Sequence, residues 1–189
     1  MKIIGMAGSL RPGSYVRRLL EASARELPAS VDFETWDGLD RVSPFRDGPL
    51  PQRVDELCHT LSAADGMLIV APAYSVLPPQ LGHALNWMAS RRGGAVLVGK
   101  PVAVVTACLH AHEAMWTQTE LRRALGAAGA VVYGTDLVVS PALSQFDSDG
   151  RIIDPEFRDR LHSVLDGLCA PSLAKSAVRK AAGAVPATT

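Results

Sequence analysis

The sequence predicts one α/β domain built on an open parallel sheet with helices on both faces. Strand-like and helix-like patterns alternate from the first residues to about residue 168, the order expected of consecutive strand-helix units. Residues 66–71 (GMLIVA) and 101–107 (PVAVVTA) are apolar at nearly every position, as strands covered from both sides are. Parallel neighbours need right-handed crossovers, so the helices must lie above and below the sheet.

Each element follows from its own pattern. Residues 2–7 form an apolar opening strand, and residues 14–27 carry Val16, Leu19, Leu20, Ala24 and Leu27 at helical spacing. Residues 31–36 alternate apolar and polar side chains, as a strand nearer the sheet edge does. A loop rich in Gly, Pro and Asp follows over residues 37–51. Residues 52–64 are amphipathic and helical, and residues 66–71 are a buried strand. Pro78 and Pro79 start a helix that places Leu81, Ala84, Leu85, Trp87 and Met88 before Gly93 and Gly94 end it. Then come a buried strand over 101–107, a helix over 113–128 and a fifth strand over 131–139. Asp154 is positioned as the N-cap of a closing helix over 154–168. From Pro171 the chain is rich in Ala, Ser, Lys and Thr with no apolar face, so residues 1–170 are expected to be the domain and 171–189 a flexible tail.

Composition narrows the function. Lys plus Arg and Asp plus Glu number 19 each, so no net field recruits nucleic acid or an anionic membrane. No apolar run approaches the ~20 residues of a membrane span. The three cysteines form no C-x-x-C pair and no secretory leader pattern opens the chain, which points to a reducing cytoplasm. The partner is expected to be a small molecule.

Ligands of such sheets bind beyond the carboxyl ends of the strands, which selects the loops at residues 8–14, 72–79 and 106–112. The first reads Gly8-Ser9-Leu10-Arg11-Pro12-Gly13-Ser14. It lacks the Gly-Lys-Ser/Thr of a nucleotide-hydrolysing loop and the G-x-G-x-x-G of a dinucleotide site. Hydroxyls, a guanidinium and a helix N-terminus suit a phosphate monoester. The same residues also suit a plain cap at Ser14 with two turn glycines.

Together with Pro72-Ala73-Tyr74-Ser75-Val76-Leu77-Pro78 and Leu81-Gly82-His83-Ala84-Leu85-Asn86-Trp87, this loop resembles the NADPH-dependent FMN reductase family. The resemblance covers residues 1 to about 168. It implies a flavodoxin-like three-layer sandwich whose five-stranded parallel sheet has the order 2-1-3-4-5, one non-covalent FMN per subunit, NAD(P)H as reductant, and a homodimer or homotetramer. It also implies that Ser9, Arg11 and Ser14 hold the FMN phosphate, that the backbone of Pro72, Ala73, Tyr74, Ser75 and Val76 lines the isoalloxazine edge, and that Leu10, Tyr15, Val16, Thr106, Cys108 and His110 are further cofactor-binding residues. Two departures stand out. Ala73 and Ser75 replace the Glu and Asn of the family's P-E-Y-N pattern, and Val16 stands where Asn is common.

The third loop, Thr106-Ala107-Cys108-Leu109-His110-Ala111-His112-Glu113, carries side chains where many members have glycines. Its Cys, His and Glu are of metal-ligand type but lack the paired spacing of a zinc site, so no metal is expected. His110 and His112 are candidate proton donors to flavin or substrate, or plain solvated loop residues. Cys58-His59 sits mid-helix and is assigned no role. Trp87, Met88, Met115 and Trp116 suit core or interface packing, or a wall over the flavin. Arg91-Arg92 and Arg122-Arg123 suit solvated surface, or an NADPH phosphate. The expected reaction is hydride transfer from NAD(P)H through FMN to a small acceptor: free flavin, a quinone, a nitro or azo compound, or a pathway intermediate. The alternatives are an electron carrier of the flavodoxin type, or a flavin-free protein of this fold.

Overall fold

The computed structural model describes residues 1–73, 77–107, 111–134, 137–139 and 146–182, with the side chains of 111–114, 138–139 and 172–182 outside the description. The elements are β1 (Lys2–Ala7), α1 (Tyr15–Arg25), β2 (Asp32–Thr35), α2 (Gln52–Ser62), β3 (Gly66–Pro72), α3 (Pro79–Ala89), β4 (Pro101–Ala107), α4 (Ala111–Ala127), β5 (Val131–Tyr133), β6 (Val138–Val139) and α5 (Pro155–Ala182). The sheet is parallel in the order β2-β1-β3-β4-β5, and β6 also pairs with β4. That is the predicted strand order.

Strand alternation divides the core in two. Ile4, Met6, Met67, Ile69, Val102 and Val104 face α2, α3 and α4. Ile3, Leu68, Val70, Ala103 and Val105 face α1 and α5. Every residue of β3 and β4 is buried, which explains their unbroken apolar sequences. Burying each such Val, Ile or Leu contributes about 1.5–3 kcal/mol relative to exposing it. Gly5 interrupts the apolar run of β1 because a Cβ there would lie 2.3 Å from Phe33 Cζ on the neighbouring strand.

Two elements differ from expectation. The fifth strand is not continuous over 131–139: Gly134, at φ +74°, breaks it, and a Cβ there would lie 2.5 Å from Val164 Cγ1. Turn geometry and the close approach of α5 both demand glycine, so pairing with β4 stops and resumes. The closing helix starts as predicted, with Asp154 Oδ1 accepting from the Glu156 and Phe157 N–H groups at 3.0 and 3.4 Å. It does not end at Leu168 but runs through Pro171 to Ala182. A proline removes one helical N–H and crowds the carbonyl four residues earlier. Here the preceding turns carry buried Leu161, Leu165, Leu168 and Cys169, and the helix continues past the proline.

Candidate functional site

The site-forming ends of β1 and β3 are clamped together. Gly8 N–H donates to Val70 O at 2.7 Å, and a Cβ on Gly8 would meet Leu81 Cδ2 at 3.1 Å and Ala71 Cα at 3.3 Å. Glycine therefore suits the close approach of the two strand ends, where a Cβ would make its neighbours give by a few tenths of an ångström. Beyond it, Ser14 N–H closes a turn onto Arg11 O at 3.2 Å. Gly13 sits at φ +66° with no atom within 4 Å of a would-be Cβ. Pro12 followed by a left-handed Gly is the signature of a type II turn, so Gly13 is required by backbone conformation rather than by space.

The first-loop residues then divide by what their polar groups already do. Ser14 is the N-cap of α1, accepting from Arg17 N–H at 3.3 Å, and Ser9 Oγ accepts from Arg11 N–H at 3.4 Å. Both hydroxyls use an acceptor lone pair and keep their proton for a ligand. Arg17 pairs with Asp37 at 2.7 Å, and the Arg18 guanidinium lies 5.1 Å from the Phe146 ring centroid. Among the described residues no carboxylate pairs with Arg11, which is exposed. Nor does any described group accept from the N–H of Tyr15 or Val16, in the first turn of α1, where the helix dipole is positive. Leu10 is 45% exposed at the rim.

Tyr15 adds an observation that points to a ligand. Its ring packs on Phe146 with centroids 5.3 Å apart, and its hydroxyl is buried with no hydrogen-bond partner among the described residues. Burial pushes its pKa up to about 12 against the opposing charge of Arg18, so the group stays protonated and remains a donor. An unmade buried hydrogen bond costs about 1–3 kcal/mol. Uncommitted Ser, Arg, Tyr and main-chain donors around one turn fit a phosphate monoester. The Val16 side chain, by contrast, lies in the α1/α5 core at 5% exposure, so only its N–H can face a ligand.

The second and third walls are partly described. Pro72 ends β3 opposite Ala107, and Ala73 N–H donates to Ala107 O at 2.7 Å. Thr106, at the end of β4, is fully buried. Its hydroxyl accepts from Gln118 Nε2 at 2.8 Å and lies 3.4 Å from Leu137 O, so this side chain faces α4 and is already committed. Tyr74, Ser75, Val76, Cys108 and His110 lie outside the described residues, as does the side chain of His112, in the first turn of α4. Gln118 was missed by sequence reasoning. The signal existed: it stands three and seven residues before Leu121 and Leu125, on the buried stripe of α4.

Other candidates settle into structural roles. Cys58 is buried and its thiol is pushed up to about 11, by burial first and by Asp55 second; such a thiol is not an activated nucleophile. Trp87 and Met88 are in the core, with Trp87 Nε1 donating to Ser43 O at 2.8 Å, whereas Met115 and Trp116 are each 68% exposed. Arg92 holds Gly48 O at 2.9 Å and Asp47 at 3.3 Å, and Arg123 pairs with Glu120 at 3.2 Å. Among the described residues no group of three or more His, Cys, Asp or Glu is arranged to hold a metal ion.

Known proteins share both the pattern and the fold. The chain is 29% identical over 170 residues to a 2-hydroxy-1,4-benzoquinone reductase of Burkholderia sp, covering 88% of this chain and 93% of the relative. It is 26% identical over 174 residues to an NAD(P)H-dependent FMN reductase of Pseudomonas aeruginosa, covering 89% and 93%. Among solved structures, the flavoenzyme NAD(P)H:(acceptor) oxidoreductase FerB of Paracoccus denitrificans superposes with a TM-score of 0.79 at 20% identity, covering 89% and 95% of the two chains. At that identity the likeness shows the fold. Residues 1–143 match the family described as NADPH-dependent FMN reductase, and with the strand order and first-loop geometry above, the chain belongs to that family of oxidoreductases.

Proposed function

We propose that this protein binds FMN by its phosphate in the cradle of residues 8–16 and uses NAD(P)H to reduce a small acceptor, with quinones as the favoured class. The carrying observation is the set of donors left uncommitted around that turn: the Ser9 and Ser14 hydroxyls, Arg11, the buried Tyr15 hydroxyl, and the N–H groups of Tyr15 and Val16. Arg11 would grip two phosphate oxygens, the serines and helix N-terminus would share the remaining charge, and Gly8 allows the close approach. Bound FMN would supply the redox chemistry, leaving the protein to bind, orient and shield. The backbone of Pro72 to Val76 and the residues Cys108 and His110 are proposed for the ring's edge, and His110 or His112 for holding a proton there. Quinones are favoured because the Burkholderia relative bears a benzoquinone reductase name.

On this reading residues 1–170 are the FMN-binding domain. The apolar side chains of Met115 and Trp116, exposed on α4, would be covered in a homodimer or homotetramer. Cys58 and Cys169 are buried free thiols, which suits a cytoplasmic location. The purified protein, incubated with FMN and desalted, should be yellow. Anaerobic NADPH should bleach it, and benzoquinone should restore the colour. A protein that stays yellow under NADPH is a carrier, and one that emerges colourless has no flavin site; either result overturns the proposal.

A further inference from the structure

A buried polar knot lies under the site and has no part in the phosphate cradle. Gln118, on the inner face of α4 beside buried Thr117 and one turn before Leu121, is 8% exposed. Its Nε2 donates to Thr106 Oγ1 at 2.8 Å and approaches Leu137 O at 3.4 Å. Thr106 N–H donates to the same Leu137 carbonyl at 3.1 Å. Thr106 pairs with Ala71 on β3 and Val138 on β6, and the next residue, Ala107, accepts from Ala73 N–H. One amide thus ties α4, the end of β4 and the resumption of the broken fifth strand, one residue from the hydrogen bond that anchors the second site loop.

A leucine would satisfy the apolar surroundings of position 118 with no polar group to pair, and burying an amide costs free energy unless its hydrogen bonds are made. We propose, resting on the flavin-binding reading above, that Gln118 is a positioning residue for the flavin site: through Thr106 it fixes where β4 ends, and through Ala107 the placement of Ala73. It touches the ring-side walls and not the cradle, so its loss weakens the ring end of the ligand while leaving phosphate recognition intact.

Dissociation constants of FMN and of riboflavin, measured by flavin fluorescence for the wild type, Gln118→Leu and Gln118→Glu, test this. Gln118→Leu is expected to weaken both ligands by the same factor, about tenfold, the scale of one hydrogen bond, so the FMN-to-riboflavin ratio stays at the wild-type value. Gln118→Glu is expected to recover both affinities as pH falls from roughly 8 to 5.5, because a buried carboxyl takes up its proton in that range and the protonated form donates as the amide does. If Gln118→Leu does not fold, the pH series on Gln118→Glu carries the test. Affinities within twofold of wild type in the folded variants, or a change in the FMN-to-riboflavin ratio, overturn the proposal for Gln118 alone. A wild type that binds neither ligand overturns the flavin reading itself.

Discussion

The carboxyl ends of β1 and β4 carry similar residues and do opposite things with them. After β1, Ser9 and Ser14 accept hydrogen bonds from nearby main-chain N–H groups and donate to no described acceptor, and Arg11 has no described carboxylate partner. At the end of β4, Thr106 is fully buried and its hydroxyl is engaged by Gln118 and Leu137. A hydroxyl at a strand end is therefore no indication of a ligand contact. What counts is whether the fold has already consumed its hydrogen bonds. Among the described residues the first loop keeps donors unused, whereas the end of the fourth strand has spent its own.

Substitutions separate the two behaviours. Arg11→Ala should lose about 1.5–3 kcal/mol of FMN binding, roughly 10- to 150-fold, with Tm unchanged because that guanidinium is exposed and no described carboxylate pairs with it; equilibrium titration beside thermal unfolding reads both. Thr106→Val should do more to the fold, costing about 1–2 kcal/mol and lowering Tm by about 2–4 °C per kcal/mol. If Arg11→Ala destabilised the protein and Thr106→Val did not, the contrast would be reversed. Gly13→Ala should cost about 1 kcal/mol, the strain of a left-handed alanine, visible in urea unfolding and in a weakened cradle.

The smallest expected effect lies away from both ends. Glu26, 7% exposed, accepts from Arg158 Nε at 2.8 Å and lies 2.6 Å from His162 Nε2, joining the end of α1 to α5. Burial alone would raise its pKa, but the hydrogen bonds from Arg158 and His162 outweigh burial and hold it below the ordinary carboxylate value. A lowered folded-state pKa means that the stabilisation is present above the unfolded value and is lost as pH falls through the folded one. Glu26→Gln should therefore cost about 0.5–1 kcal/mol at neutral pH, a modest figure because Arg158 is half exposed, and the gap to wild type should close below about pH 4. Chemical denaturation at several pH values measures it.

Local rules made much of this legible in advance. The apolar runs of β3 and β4, the cap at Asp154 and the glycine turn before α1 each follow from a few neighbouring residues, and together they give the layered fold. What escaped depended on contacts distant in sequence. The interruption at Gly134 is set by Val164 packing in from α5. Thr106 shares a face with Val102 and Val104, and Gln118 shares one with Leu121 and Leu125. Polar residues on faces that pack together should find each other, but that inference needs the pairing of β4 with α4. Val16 combines both kinds of signal: its spacing with Leu19 and Leu20 places its side chain in the core, and its position in the first turn of α1 leaves its N–H without an acceptor among the described residues.

The central claim is that a phosphate monoester is held by the turn after β1, and a paired titration of FMN and riboflavin tests it most directly. The two ligands share the ring and ribityl chain and differ in the phosphate. FMN is expected to bind at least about tenfold more tightly, the value of a charged hydrogen bond, and Arg11→Ala should erase most of that difference. Equal affinities for the two ligands in the wild-type protein would contradict the account.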